Sequence, residues 1–146
     1  MTRINSAIPV QNLTDEHLLA EHREIKRLPY SLRKAVESGS IRRIPGEFCL
    51  GTGHVLFFLD KSKFTLDRYL EIRKECLRRG FSVEDFSANW SGIPAEYLGS
   101  YSPTIVEKNL LIDRISDRLR NSTKKSWHYF GKKVTVEEAI QKLKSR

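Results

Sequence analysis

The stretch TDEHLLAEHREIKR, residues 14–27, carries the densest set of side chains able to do chemistry. Wound at about 100° per residue, it collects Arg23, Arg27, Glu24, His17 and Glu21, in that angular order, along one contiguous arc. Leu18, Ile25 and Leu28 take a narrow apolar arc beside it. Thr14 offers the hydroxyl of a helix N-cap, and Asp15 and Glu16 put negative charge on the first turn, where the helix dipole favours it. A charged arc is ordinarily a solvated face with some ion pairing. Arg23 and Arg27 fit that reading badly, because like charges at i,i+4 cost roughly 0.2–0.5 kcal/mol. Two guanidinium groups beside a carboxylate suit an anionic ligand with chemistry next to it.

A second candidate reactive group is the chain terminus, Met1-Thr2-Arg3-Ile4-Asn5. Trimming of the initiator methionine exposes Thr2. An α-amine has a pKa near 7.7–8.0 against about 10.4 for lysine, so roughly 10–15% of it is the neutral nucleophile at pH 7. The alternative is a frayed terminus. Other chemistries lack their motifs. His17 and His22 are five apart, not the i,i+4 of a zinc-protease helix. Cys49 and Cys76 lack metal-ligand spacing. No serine-nucleophile motif or phosphate-cradling loop occurs. A mechanism with no metal and no cofactor is the one left open.

The elements that must position these groups read as helices. Pro29 interrupts the first helix. A second piece, Tyr30–Glu37, carries Arg33 and Lys34 exposed, which join the candidate anion-binding set, and ends at Gly39. Arg42 and Arg43 lie in a loop and face either phosphates or water. In the apolar stretch Leu50–Phe58, Gly51 and Gly53 point to tight turning or close backbone approach, and His54 reads as a hydrogen-bonded structural histidine. A long helix over Lys63–Arg79 places Leu66, Tyr69, Leu70, Cys76 and Leu77 inward and Arg68, Arg73, Lys74, Arg78 and Arg79 on a solvated face. Phe86, Trp90, Tyr97 and Tyr101 pin the connection after it. Ser102-Pro103 opens the next helix, whose buried stripe is Ile105, Ile112, Ile115 and Leu119. Arg114 and Arg118, clear of that stripe, form a second like-charged i,i+4 pair. Residues 124–133 interleave aromatics with lysines, a pattern for bases and phosphates or for a core clasp. Thr135 and Glu138 make a capping box before a short amphipathic helix.

With 146 residues, net charge +8 and pI near 9.7, the chain fits one domain with an anionic partner, nucleic acid before membrane. The longest apolar run, Val55–Leu59, is too short to span a bilayer. MTRINS lacks the apolar core of a signal peptide, and two free buried thiols fit a reducing cytoplasm.

Taken together, these residues resemble the phage pyrimidine-dimer DNA glycosylase and abasic-site lyase family. Four blocks carry the resemblance: MTRIN; His17-Leu18-x-Ala20-Glu21-x-Arg23-Glu24-x-x-Arg27; the LGxGHVxFFxDK pattern from Leu50 to Lys61; and Ile93-Pro94 running to Gly99-x-Tyr101-x-Pro103. It extends to about Gly131. The resemblance implies an all-α, single compact domain of three main helices with long loops, its N-terminal segment threaded between helices, and here an extra short C-terminal helix. Residues 1–146 would form that one domain, with 132–146 as a C-terminal extension. It further implies Thr2 as an amine nucleophile at the anomeric carbon and Glu24 as the essential acid/base. The base leaves, an imine links enzyme to sugar, and β-elimination nicks the strand. Arg3, Arg23 and Arg27 bind the lesion and its phosphates, with His17 and Glu21 alongside. Arg114 and Arg118 match a basic pair in the third helix, and Trp127, Tyr129 and Phe130 match a C-terminal aromatic cluster. The implied partners are double-stranded DNA containing pyrimidine dimers or abasic sites, with the adenine opposite the dimer flipped out, and non-specific duplex DNA. No cofactor and no membrane are implied, and a monomer in the cytoplasm of a bacterial or phage-infected cell is expected.

Three departures bear on detail. Glu16 stands where the best-known member of the family has glutamine, which puts a carboxylate near the expected DNA surface. His128 interrupts a shortened aromatic cluster, and the chain continues past Gly131. Two competing readings remain: the same chemistry on another base lesion, and a basic DNA-binding module without catalysis.

Overall fold

The computed structural model describes residues 4–124 and 126–145. Helix α1 (Asp15–Ile25) is capped by Thr14, whose Oγ accepts from the His17 N–H. Helix α2 (Leu28–Ser38) follows at once, with Pro29 in its first turn, where a missing N–H costs nothing. The expected kink is therefore a clean break between two helices. α2 ends on Gly39, at φ 81°. Helices α3 (His54–Phe58) and α4 (Ser62–Arg78) come next, and then α5 (Ile105–Asn121). Strands β1 (Trp127–Tyr129) and β2 (Lys132–Val134) form an antiparallel hairpin that the sequence reading did not foresee. Helix α6 (Val136–Leu143), closed by the Thr135–Glu138 capping box, packs on α5. The fold is all-α apart from that hairpin.

Residues 4–13 run through the interior. Ile4, Ile8 and Leu13 are fully buried among the helices, with Phe58, Tyr69, Ile72 and Leu111. Segments this polar enter a core only if their backbone groups find partners, and these do, as described below. The long connection after α4 is pinned from α4. Tyr69 accepts the Phe86 N–H at 2.7 Å, and the Trp90 indole donates to Thr65 Oγ at 3.1 Å. Gly51 adopts φ 80°, and a Cβ on Gly53 would lie 2.7 Å from Cys49 Sγ, so one glycine turns the chain and the other permits close approach.

Three expectations need correction. The third main helix begins at Ile105 rather than at Ser102-Pro103, because Thr104 and Glu107 supply a complete capping box. Leu70 and Leu77 of α4, and Ile105 of the expected buried stripe at the start of α5, are exposed, while Arg68 and Arg79 are buried. Those two arginines leave water because buried carboxylates and carbonyls meet them. Arg79 donates to Glu75, Asp15 and the carbonyls of Val10 and Gln11. Cys49 is only partly buried; Cys76 is buried, and burial pushes its thiol up to about 11, which leaves it inert near neutrality.

Candidate active site

One face of α1 and one face of α5 enclose a cleft of about 160 Å³. His17, Ala20, Glu21 and Glu24 line it from α1, at the i, i+3, i+4 and i+7 spacing of a single helical face. Arg114, Ile115 and Arg118 line it from α5, and Asn5 enters from the N-terminal segment. Three of the five residues of the expected arc therefore meet here, together with the basic pair of α5.

Glu21 lies at the floor with its side chain sealed from solvent. Its Oε1 accepts the Asn5 N–H at 3.2 Å and the Asn5 amide at 2.9 Å. Arg68 grips the same carboxylate, Nε to Oε2 at 2.8 Å. Glu21 is thus a buried structural anchor rather than a surface contact. Glu24, one turn on, stays partly open, and Arg27 approaches it at 3.5 Å. Arg23 and Arg27 are exposed and lie outside the cleft lining.

His17 is neutral. Burial lowers its pKa to about 4, with Arg118 adding to the shift and Glu16 opposing it. Its Nδ1 shares a hydrogen bond of 2.8 Å with Thr14 Oγ, and its ring stacks on Trp127, with centroids 5.1 Å apart and planes within 5°. Arg114 keeps one buried terminal nitrogen that has no hydrogen-bond partner among the described residues, and burial, then Arg118, lowers its pKa. A desolvated guanidinium beside a second one is a strong anion-binding wall.

The other candidates lie elsewhere. Trp127 is buried against His17. Tyr129 donates to the Asn12 carbonyl at 2.7 Å, and Phe130 sits under the guanidinium groups of Arg78 and Arg79. Asp15 holds the Phe130 and Gly131 N–H groups, nine residues and so about 13 Å along the helix from Glu24. These two rings clasp the start of α1. Arg33 is exposed and donates to the carbonyls of Asn89 and Ser91; Lys34 is exposed over the Tyr30 ring. Thr2 and Arg3 lie outside the described residues. Sequence reasoning missed Asn5, His54 and Arg68 as parts of the site's support. The MTRIN and GHV motifs held a signal for the first two, and nothing in the sequence marked Arg68. Glu16 is not a free carboxylate: it accepts the His128 N–H at 2.9 Å and pairs with its ring nitrogen at 2.6 Å.

This cleft, with a carboxylate on one wall and paired arginines on the other, suits catalysis on an anionic polymer. Residues 1–88 match the profile of the family described as pyrimidine dimer DNA glycosylase. The match spans α1 to α4, and the chain belongs to this family of DNA repair glycosylases, which bind DNA containing pyrimidine dimers. No helix among the described residues is long and apolar enough to cross a membrane.

Proposed function

We propose that the chain binds UV-induced cyclobutane pyrimidine dimers in duplex DNA and acts on them as a bifunctional glycosylase and abasic-site lyase, cleaving the N-glycosidic bond of the 5′ pyrimidine and then nicking the strand. The α-amine of Thr2 attacks C1′ of the 5′ pyrimidine nucleotide. The C1′–N1 bond breaks, and its electron pair stays with the base, which takes a proton and remains joined to its 3′ neighbour through the cyclobutane ring. Opening of the sugar at O4′ gives an imine between C1′ and the amine. Removal of a C2′ proton expels the 3′ phosphate and nicks the strand, and water releases the enzyme. Glu24 is the acid/base group, stabilising positive charge on the sugar and then accepting the C2′ proton. Arg3, Arg23 and Arg27 bind the lesion and its flanking phosphates, and Arg114 and Arg118 extend the phosphate contact.

The observation that carries this reading is the meeting of Glu24, His17, Arg114 and Arg118 in one cleft with Asn5. Asn5 lines the cleft, and Thr2 is three residues before it in the chain, a span of at most about 11 Å, so the cleft is within reach of a terminal amine. Opening a damaged pair costs less than opening an intact one, which favours lesions over undamaged DNA. We read residues 1–146 as one glycosylase-like domain acting as a monomer, without a cofactor, at the DNA of a bacterial or phage-infected cell.

A cleavage panel tests the assignment: duplexes with one cis-syn thymine dimer, one abasic site, one formamidopyrimidine or no lesion, in excess chelator. Cleavage of the dimer and abasic duplexes alone is expected. Equal cleavage of every damaged base would count against dimer specificity.

A further inference from the structure

Arg68 stands outside the cleft, yet its guanidinium grips the segment that leads to the chain terminus. Its Nε and one terminal nitrogen reach both oxygens of Glu21, at 2.8 and 3.2 Å, while the other terminal nitrogen donates to the Ile8 carbonyl at 2.7 Å. Glu21 in turn holds Asn5 by its N–H and its side-chain amide. The Ile8 N–H closes back on the Asn5 carbonyl at 2.9 Å. Residues 5–8 therefore form one turn clamped at both ends, at Asn5 through Glu21 and at Ile8 by Arg68 directly. One residue earlier, the Ile4 N–H donates to His54 Nε2 at 3.0 Å. That nitrogen must be the unprotonated one, so Nδ1 carries the proton and donates to the Cys49 carbonyl, also at 3.0 Å. The arginine and glutamate side chains are 5% and 0% exposed.

A buried ion pair is a poor way to gain stability, since well-packed apolar residues often do as well or better. What it supplies here is direction: a planar fork satisfies three acceptors at fixed angles, which a lysine cannot do. Glu21 lies one helical turn before Glu24 on the same face of α1, and Asn5 lines the cleft with both. We propose that Arg68, Glu21 and Asn5 are positioning residues for the reaction, a clamp that fixes the chain behind the terminal amine so that the amine is presented to Glu24. This rests on the Thr2 reading above. A well-oriented intramolecular group reaches effective molarities of 10⁵–10⁸ M, and a misplacement of about 1 Å costs on the order of 10²-fold in rate.

The test uses the full chain with Arg68→Lys, Asn5→Ala and the double variant, each at a temperature where melting curves show it folded. Two quantities are read: the Kd for a dimer-containing duplex, and the single-turnover rate of borohydride-trapped adduct on that duplex. The clamp predicts Kd values within about threefold of wild type. It predicts adduct formation slowed on the order of 10²-fold for Arg68→Lys and about tenfold for Asn5→Ala, which keeps the backbone bond to Glu21. The double variant should be little slower than Arg68→Lys alone, because both changes act through one carboxylate. If Arg68→Lys does not fold, Asn5→Ala carries the test. Folded variants that trap at the wild-type rate, or that lose rate and affinity in equal measure, overturn the clamp. Mapping the wild-type adduct separates the two claims: attachment at a lysine overturns the amine reading and the clamp with it, whereas attachment at Thr2 with unimpaired variants overturns the clamp alone.

Discussion

Glu24 and Glu21, one turn apart on one helix, have been given different work by their surroundings. Glu21 is sealed and saturated by Arg68 and Asn5, while Glu24 remains partly open on the cleft wall. Glu24→Gln keeps the size and loses the charge and the proton acceptor. Dimer-specific binding should survive, and glycosylase turnover should fall by about 10²–10⁴-fold, as read by binding and single-turnover assays on one duplex. Arg23→Gln and Arg27→Gln should instead lose the preference for dimer over intact duplex. His17 adds a pH dependence. Its folded-state pKa of about 4 lies below the unfolded value of about 6.5. The unfolded chain therefore binds more protons between those values, and stability falls as pH drops through that window. His22 shifts the same way through burial. Melting temperature should decline from pH 6.5 toward 4, and His17→Ala should flatten part of that decline.

At the scale of elements, the start of α1 does more than cap itself. Asp15 and Glu16 look like residues placed for the helix dipole, and they also bind the C-terminal hairpin. Asp15 takes two hairpin N–H groups and the Arg79 guanidinium, and Glu16 takes His128. Arg79 is fully buried between Asp15 and Glu75. Arg79→Ala would leave Asp15 buried without its cation and Glu75 with Arg78 alone, and urea unfolding should show a loss of about 3–5 kcal/mol. Arg78→Ala, on the exposed side of the same turn, should unfold close to wild type. This pair also shows where sequence reading stops. The helical spacing of α4 and the capping of α1 and α6 were legible because they depend on neighbours a few residues away. The burial of Arg68 and Arg79 was not, since an arginine facing water and one facing a carboxylate look alike in a local pattern. The α1 carboxylates that meet them, Glu21 and Asp15, lie 47 and 64 residues off. The arc of α1 was legible as a face, but which of its members lie inside the cleft was settled by α5. The hairpin was missed because its strands are three residues each and depend on contact with α1.

For the whole molecule, net charge +8 and two exposed arginine-bearing helices favour scanning of undamaged duplex by phosphate contact. Affinity for any duplex should fall with salt, with a log–log slope near −0.9 per phosphate contact. Arg118→Ala and Arg114→Ala should each weaken binding to dimer and intact duplex alike and reduce the slope by about one. An unchanged slope would return that pair to a solvated role. The family match spans residues 1–88, so α5, the hairpin and α6 enter the account through their contacts with α1 and with one another. The central claim is that the terminal amine, next to Glu24, does the covalent step. Its most direct measurement is borohydride trapping on dimer-containing duplex in excess chelator, with the chain beginning at Thr2 compared with the same chain carrying one extra residue or a blocked amine. An adduct at Thr2 is expected in the first and none in the others, while all three bind the duplex. An adduct of normal yield in the blocked protein would place the nucleophile on a side chain and contradict the claim.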